Sequence, residues 1–527
     1  MGISGYDDLM TDLSPAGFEA LADLDRRTLG ALAATEATSD RERVARDAMV
    51  ERLSVYGELY DSGATTSDLN VIACWLQAVR QVFDVMPTSG EEAQRNLASR
   101  MRGVGSAYAG YRQTLLDAAG RGDVAARRQV VACARQCADW TAPGAGFYDG
   151  LVHRTGATGT LRTSLEEAAV AASAATAEFG QFLERELLPL APEKDAAGRE
   201  RFGLVSREFL GTTIDPDEAY DWGWNEVIRI EAEMKRVAAK IVPGGSVPEA
   251  VKALDADPER RIFGRDALKA WMQETADATI AELDGTHFDI PAPARTIECM
   301  IAPTEDGGIY YTGPSEDWSR PGRMWWAPGD GVDDFSTWKE LTTIYHEGVP
   351  GHHLQVAQAI FLQEELNRWQ RMMCWVSGHG EGWALYAERL MDELGYMSDP
   401  GNQFGLLDAQ LLRACRVVVD LGVHVELPIP ADSPWHPGEA WNADLAWEFL
   451  RSRVQSEDAL LRFELDRYLG WAGQSSSYKL GERIWLAARD DARRRKGTDF
   501  DLKQFHSQAL ALGSIGLDPL REALARL

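Results

Sequence analysis

The stretch Tyr345-His346-Glu347-Gly348-Val349-Pro350-Gly351-His352-His353 predicts a helix that is broken at its centre. Pro350 has no N–H to donate to the carbonyl of His346, and its ring clashes with that carbonyl in a regular helix. Gly351 follows and gives the backbone the freedom to resume a helix. We therefore predict an irregular segment between residues 346 and 352, inside a region that is otherwise helical.

The same stretch carries the residue types of a metal site. In zinc peptidases of the H-E-x-x-H type, two histidines four residues apart bind the ion, and the glutamate beside the first histidine takes a proton from the metal-bound water. Here His346-Glu347 provides the first half of that motif, but proline occupies position 350. On a regular helix His352 would lie about 240° around the axis from His346, and His353 about 10 Å along it. A bulge that absorbs the two extra residues would bring His352 to the metal, and His353 is the alternative ligand.

A third protein ligand is expected from the next helical segment, which begins His379-Gly-Glu381-Gly-Trp. Glu381 is the expected ligand, and Glu388, two turns later on the same helix face, is the alternative. Two histidines and one glutamate leave a fourth position open for water, which catalysis requires, and they favour zinc over manganese or cobalt. In this arrangement Glu347 is the general base.

The composition is that of an ordinary globular protein. The chain has 527 residues, of which 45% are hydrophobic, and 82 acidic against 54 basic residues give a formal net charge of −28. Such a charge repels phosphate backbones, so we expect no nucleic-acid partner. We also expect no membrane partner and a cytoplasmic location, because the sequence contains no run of about 18 apolar residues and no secretory signal. The six cysteines are scattered, which favours buried, reduced thiols.

Helical periodicity dominates the chain outside one short region. Residues 40–60 and 164–187 repeat with a period of 3.6, and Asp215-Pro216 signals a helix start. The exception is the region 296–326, where strand-like segments at 296–303, 308–313 and 324–326 surround an acidic turn that contains glycine.

These patterns predict a mainly α fold with a small β-sheet at residues 296–326. We favour a single large α-rich domain over independent domains, because no clear linker interrupts residues 1–527. Within that domain we expect a helical lobe at about 1–290 and a second lobe at about 291–527, which contains the sheet and the metal-site helices.

Four blocks of this sequence resemble the family known as domain of unknown function 885. The first two are His346 to His353 and Glu381 to Glu388, and the third is Arg413-Ala-Cys-Arg-Val-Val-Val-Asp-Leu-Gly-Val-His424. The fourth is Gly473-Gln-Ser-Ser-Ser-Tyr-Lys-Leu-Gly481. That family is in turn similar to the α-helical zinc carboxypeptidases and to the angiotensin-converting-enzyme and oligopeptidase group.

The resemblance implies a two-lobed helical fold with a deep cleft and a small antiparallel sheet beside the metal helix. An edge strand of that sheet would pair with an extended peptide substrate. The resemblance also favours His352 over His353 as the second ligand, and it implies that Tyr478 donates a hydrogen bond to the oxyanion of the tetrahedral intermediate.

Three further residues complete the expected site. His353 or His424 would help Tyr478 to stabilise the tetrahedral intermediate electrostatically. Arg416 lies four residues before Asp420 on a predicted helix, so it forms either an ion pair with that aspartate or a bidentate clamp on a substrate carboxylate.

The expected function is that of a zinc-dependent, metallocarboxypeptidase-like hydrolase of peptide or amide bonds in small peptides or aminoacyl conjugates. Two alternatives remain open: a zinc enzyme of biosynthesis that transfers an acyl group or forms an amide, and a metal-containing protein that binds peptides without catalysis. The sequence leaves open the cleaved end of the substrate and the oligomeric state, a homodimer included.

Overall fold

The computed structural model describes residues 5–302, 308–329 and 331–526, and these parts of the chain form a mainly α fold, as predicted. The α-helices, numbered in chain order, are Pro15–Ala33 (α1), Asp40–Asp61 (α2), Trp75–Gln81 (α3), Glu91–Gly120 (α4), Arg127–Trp140 (α5), Phe147–Arg154 (α6), Gly159–Phe182 (α7), Arg199–Leu210 (α8), Pro216–Ile241 (α9), Val247–Ala256 (α10), Arg265–Leu283 (α11), Thr337–Glu347 (α12), His352–Phe361 (α13), Arg368–Met372 (α14), Ser377–Glu393 (α15), Pro400–His424 (α16), Ala443–Arg451 (α17), Asp458–Gly470 (α18), Gln474–Lys496 (α19), Leu502–Leu510 (α20) and Leu517–Arg526 (α21). Among the helices described, we find none with the length and apolar character that a membrane crossing requires.

The predicted helix start at Asp215-Pro216 is confirmed. The side chain of Asp215 accepts hydrogen bonds from the backbone N–H groups of Asp217 and Glu218, and Pro216 occupies the first helical position of α9. Proline suits this position because its missing N–H has no helical partner there.

The strands are Arg261–Phe263 (β1), Ile297–Ile301 (β2), Ile309–Thr312 (β3), Gly322–Trp326 (β4) and Asp334–Ser336 (β5). The three predicted strands are β2, β3 and β4, which form one sheet in the order β2-β4-β3. β3 pairs with β4 antiparallel, as expected, but β2 pairs with β4 in parallel, because β4 lies between the other two strands. The acidic turn predicted after β2 falls on residues 303–307, which lie outside the described residues.

The antiparallel pair formed by β1 and β5 was not among the predicted strands. Each strand has three residues, which is too short for the alternation of apolar and polar side chains to be recognised.

The described chain forms two compact units. Unit 1 consists of Met1–Thr35, Leu53–Val205 and Phe463–Ala472, and unit 2 of Glu36–Arg52, Ser206–Arg462 and Gly473–Leu527. The main division of these units falls after Val205, and the lobes expected at about 1–290 and 291–527 stay a prediction. Within unit 2, α9 packs along α16: a Cβ atom at Gly223 would lie 2.8 Å from Cγ1 of Val417. The single domain remains a prediction.

Unit 1 has its own apolar core, to which α4 and α7 contribute more buried residues than any other element. Tyr108 and Tyr111 of α4 both stack on Phe179 of α7, with ring centroids 4.7 and 5.6 Å apart. Cys133 and Cys137 are buried in this core. All six cysteines of the chain are free and buried, as the sequence predicts.

In unit 2, α15 and α19 cross at unusually close range because glycines line the contact. A Cβ atom at Gly481 would lie 2.0 Å from the carbonyl oxygen of Gly378, and one at Gly382 would lie 2.5 Å from the carbonyl carbon of Gly481. Only residues without a side chain permit this approach. Beside the crossing, the buried indoles of Trp383 and Trp485 pack edge to face, with centroids 5.0 Å apart. The crossing brings the first turns of the two helices together.

Candidate metal centre

The predicted break in the metal-site helix is present. α12 ends at Glu347 and α13 begins at His352, so the four residues between them are not helical. The Val349–Pro350 peptide bond is cis. A Cβ atom at Gly351 would lie 1.9 Å from the carbonyl oxygen of His346, so the turn between the two helices requires glycine at this position.

Hydrogen bonds fix the turn between α12 and α13. The N–H of Gly351 donates to the carbonyl of Tyr345 over 3.1 Å. The indole N–H of the buried Trp383 on α15 donates to the carbonyl of Pro350 over 2.9 Å. The carbonyl of Pro350 has no partner within a helix, and α15 provides its hydrogen-bond donor.

His346, His352 and Glu381 lie together, with one potential ligand atom from each residue within 4.8 Å of the others. The Nε2 atoms of both histidines are 3.3 Å from the same oxygen, Oε2 of Glu381. Ligand atoms about 2 Å from a tetrahedral ion are themselves about 3.3 Å apart. A charge-assisted hydrogen bond would be shorter, at about 2.7–2.9 Å. The spacing fits three ligands around a single ion.

Glu388, the alternative ligand in the sequence analysis, orients His346 instead. Its Oε1 atom is 2.7 Å from Nδ1 of His346, and its Oε2 atom accepts a hydrogen bond from the Thr342 hydroxyl over 2.6 Å. With the proton on Nδ1, the lone pair of Nε2 points toward Glu381 and His352. A carboxylate behind a histidine is the usual arrangement around metal-binding imidazoles.

Glu347 is buried beside this cluster, and its Oε2 atom has no hydrogen-bond partner among the described residues. The buried Nδ1 atom of His352 likewise has none. Burial raises the pKa of Glu347, while the nearby His352 and His346 lower it. The Oε2 atom of Glu347 is thus available to accept a hydrogen bond or a proton from a molecule beside the cluster.

The charged groups around the cluster shift the pKa values of its members. Arg413 lies close enough to lower the pKa of both Glu347 and Glu388. Three carboxylates, those of Glu347, Glu381 and Glu388, face one guanidinium, so the fixed charges around the two histidines are predominantly negative. Burial would lower the pKa of His346, but its hydrogen bonds to Glu381 and Glu388 prevail and raise that pKa to about 9. A proton on His346 and a metal ion would therefore compete for this site.

The structure does not bring His353 to the cluster. Its Nε2–H donates to the carbonyl of Ala294 over 2.8 Å, and its Nδ1 accepts from the hydroxyl of Tyr311 over 2.9 Å. Burial lowers the pKa of His353 to about 4. Both ring nitrogens are engaged by neighbouring segments, so His353 holds α13 against β3 and has no atom left for a ligand or for an oxyanion.

Tyr478 is the fifth residue of α19 and follows three serines in its first turn. The serines are buried, and the hydroxyl of Ser477 is 2.8 Å from that of Ser377 on α15, four residues before Glu381. The guanidinium of Arg416 stacks over the ring of Tyr478, with Cζ 4.7 Å from the ring centroid. The structure thus joins Tyr478 and Arg416 to each other at the crossing of α15 and α19.

Asp420 caps the start of α19. Its carboxylate accepts hydrogen bonds from the N–H groups of Gly473 over 3.0 Å and Ser476 over 3.2 Å. His424 is buried beside it, with Nε2 3.8 Å from Oδ1 of Asp420. His424 therefore borders the carboxylate that positions α19, and it is outside the group of three metal-type ligands.

Three contributions to the site were not predicted from the sequence. Trp383 anchors the Pro350 carbonyl, Glu388 orients a ligand, and Arg413 balances charge. The sequence signal for Glu388 is its spacing of seven residues from Glu381, which predicts a shared helix face but not which histidine nitrogen each carboxylate meets. His379, at the start of α15, serves the core, because its Nδ1–H donates to the carbonyl of Ile515 over 2.9 Å.

Comparisons with known proteins identify the fold. The family described as "Bacterial protein of unknown function (DUF885)" matches residues 1–524. The structure is similar to that of "the putative lipoprotein from Colwellia psychrerythraea", with a TM-score of 0.85 and 22% identity over 99% of this chain and 92% of that one. It is also similar to "a putative lipoprotein of unknown function from Shewanella oneidensis", with a TM-score of 0.74 and 18% identity over 99% and 94% of the two chains. No curated protein matches the chain.

Proposed function

The chain belongs to the DUF885 family of bacterial proteins of unknown function, and from the residues of its site we propose that it is a zinc-dependent hydrolase of peptide or amide bonds. The observation that carries this proposal is the group formed by His346, His352 and Glu381 beside the unpartnered carboxylate of Glu347. A group that only bound a metal would have no use for a buried carboxylate that is neither a ligand nor hydrogen-bonded at Oε2.

Two imidazoles and one carboxylate are the ligand set of zinc sites that keep one position open for catalysis. A zinc ion bound there would lower the pKa of a coordinated water molecule to about 7 and would polarise the carbonyl of the substrate. Glu388 would keep His346 in the tautomer that offers Nε2 to the ion.

Glu347 is the proposed general base. Its carboxylate follows a ligand directly in the chain, at the last residue of α12, and is buried with one oxygen unpartnered. Burial raises its pKa above that of an ordinary glutamate, which brings the group closer to the range in which a base works well at neutral pH. It would accept the proton of the attacking water and pass it to the leaving amine.

Tyr478 is the proposed donor to the oxyanion of the tetrahedral intermediate. Its place at the start of α19 is set by Ser477, which contacts α15, and by the cap that Asp420 provides. The stacking of Arg416 on the phenol ring supports a positioning role for Arg416, rather than the carboxylate clamp considered from the sequence.

The proposed substrates are small peptides or aminoacyl conjugates. The same residues would serve an enzyme that forms amides or transfers acyl groups, because both reactions pass through a tetrahedral intermediate. Product analysis with and without an added amine separates hydrolysis from acyl transfer. A hydrolase yields the free acid under both conditions, whereas an acyl transferase yields a new amide when the amine is present.

Replacing Glu347 with glutamine tests the proposal. The E347Q variant should bind as much zinc as the native protein, about one ion per chain, because Glu347 is not a ligand. Its turnover of a dipeptide substrate should fall by about a thousandfold, the effect of removing a general base. Turnover at the native rate would refute the mechanism, and absence of bound metal in the native protein would refute the whole proposal.

The adjacent histidines provide a matched control for the ligands. The H352A variant should lose the metal, whereas H353A should keep it. The cost of H353A should appear as lower stability, by about 2–4 kcal/mol, because a buried side chain and two hydrogen bonds are lost. Metal analysis and thermal unfolding of both variants measure these effects, and loss of zinc in H353A alone would reverse the assignment.

A further inference from the structure

Trp375 is an exposed aromatic residue next to the metal-type cluster. Its indole is 44% exposed, although large aromatic side chains are usually buried. Its ring centroid is 5.8 Å from that of His352, with the planes inclined by 57°. An isolated apolar side chain on a surface needs no explanation, but one in contact with a potential metal ligand lies where a substrate would bind.

The segment that carries Trp375 is held in place from inside the unit. The thiol of Cys374 donates to the carbonyl of Ser514 over 3.0 Å, and the N–H of Val376 donates to the Ser514 hydroxyl over 3.3 Å. Cys374 and Val376 are buried, while Met373 and Trp375 are exposed. Buried and exposed residues alternate in this segment. The side chains of Met373 and Trp375 are therefore presented to solvent on a backbone that is held in place.

Gly380 provides the surface on which the indole lies. A Cβ atom at this position would be 2.3 Å from Cη2 and 2.5 Å from Cζ2 of Trp375. Gly380 directly precedes Glu381, so the indole lies against the backbone of α15 immediately before the proposed ligand. The position of Trp375 relative to the cluster therefore depends on the absence of a side chain at residue 380.

We propose that Trp375 forms a subsite for a bulky apolar or aromatic side chain of the substrate, next to the scissile bond. This inference rests on the proposed function. A carbonyl polarised at the cluster would lie within a few ångströms of His352, and a side chain on the residue flanking that carbonyl would reach an indole about 6 Å from His352. An exposed aromatic ring is suited to such a side chain. The substrate class is thus narrowed to peptides with a large apolar residue beside the cleaved bond.

The test compares two pairs of N-acetylated dipeptides, Phe-Gly with Ala-Gly and Gly-Phe with Gly-Ala. In at least one pair, the native protein should show a kcat/KM for the phenylalanine peptide that is roughly 10–100-fold higher, the range typical of apolar pockets. The W375A variant should reduce this ratio to below about 3, and W375F should retain most of it. F263A, which removes a 68% exposed aromatic ring on β1, is the control and should leave the ratio unchanged.

Binding provides a second measurement that does not depend on turnover. Calorimetric titration of E347Q with the same four peptides, with zinc and after chelation, should show tighter binding of a phenylalanine peptide, and the double variant with W375A should lose that preference. A binding preference without hydrolysis of any peptide would refute the proposed function and leave the subsite standing. Equal binding and equal turnover of both members of each pair by the native protein would overturn the subsite. So would a loss in W375A that affects phenylalanine and alanine peptides equally, because that effect would be structural.

Discussion

His352 and His353 are adjacent in the chain but meet different surroundings. Nε2 of His352 is 3.3 Å from Glu381, whereas both ring nitrogens of His353 are bonded to Ala294 and Tyr311. Consecutive residues of a helix point about 100° apart, so a pair of histidines at the start of α13 cannot serve one site together. One of them belongs to the proposed site and the other to the packing of α13.

Glu388 offers a prediction at the scale of one atom. The E388Q variant keeps the shape of the side chain but removes the negative charge behind Nδ1 of His346, so the imidazole becomes a poorer ligand. We expect the dissociation constant for zinc to rise by about 10–100-fold, measured by competition with a chromogenic chelator.

E393Q is the matched control for E388Q, because Glu393 is also on α15 and is also ion-paired, with Arg489 at 2.7 Å. It should leave the zinc affinity unchanged. Equal affinities of E388Q and the native protein would mean that Glu388 does not act on the ligand.

The sequence was sufficient to predict that His346, His352 and Glu381 meet, and the structure brings these three residues together. The prediction was possible because local backbone chemistry at Pro350 and Gly351 determines where the helix breaks. The sequence was not sufficient to separate the parts of Glu381 and Glu388, since both lie on one face of α15. Which carboxylate meets Nε2 and which meets Nδ1 depends on how α15 packs on α12, a contact between distant segments.

At the scale of elements, the break between α12 and α13 depends on Gly351. A methyl group there would lie 1.9 Å from the carbonyl oxygen of His346, so the G351A variant must open the turn and shift His352 away from Glu381. We expect G351A to lose zinc affinity by at least a hundredfold and to unfold at a lower temperature, as measured by chelator competition and calorimetry.

G30A is the control for G351A. Gly30 is an exposed position in α1, and a Cβ atom added there would have no other atom within 4 Å. Alanine at this position should therefore raise the free energy of unfolding by up to about 1 kcal/mol, because alanine favours the helix over glycine. If G351A bound zinc as tightly as G30A, the turn would not determine the position of His352.

The elements around the site were predictable to different degrees. The strands β2, β3 and β4 follow from local composition, whereas the parallel pairing of β2 with β4 is a matter of spatial order that no local pattern records. The serine run before Tyr478 gives no clear local signal for a helix, because serine competes for backbone hydrogen bonds. In the structure these serines are buried in the first turn of α19, where Asp420 accepts a hydrogen bond from the backbone N–H of Ser476 and the hydroxyl of Ser477 meets that of Ser377.

For the whole molecule, the division into two units predicts where metal binding is felt. All residues of the proposed site belong to unit 2, and no metal-type cluster is found among the described residues of unit 1. Zinc at about 100 times its dissociation constant should stabilise the folded site by about 2.7 kcal/mol. We therefore expect amide hydrogen exchange in α12, α13 and α15 to slow by up to about a hundredfold, and exchange in α4 and α7 to stay the same.

Chelation should restore the original exchange rates in α12, α13 and α15. Slower exchange in α4 and α7 of the same size would contradict the assignment of the metal to unit 2, and an unchanged rate in α12 and α13 would contradict the site itself.

The hydrogen bond from Trp383 to the carbonyl of Pro350 has a consequence for cooperativity. Glu381 and Trp383 are two residues apart on α15, so a movement of this helix that withdraws the carboxylate also strains the bond to the turn that precedes His352. The movements of His346, His352 and Glu381 are thereby coupled. We expect a bound ion to lose these ligands together, when α15 moves away from the turn before α13, instead of one ligand at a time. Such a site would release its ion more slowly than other sites with the same dissociation constant.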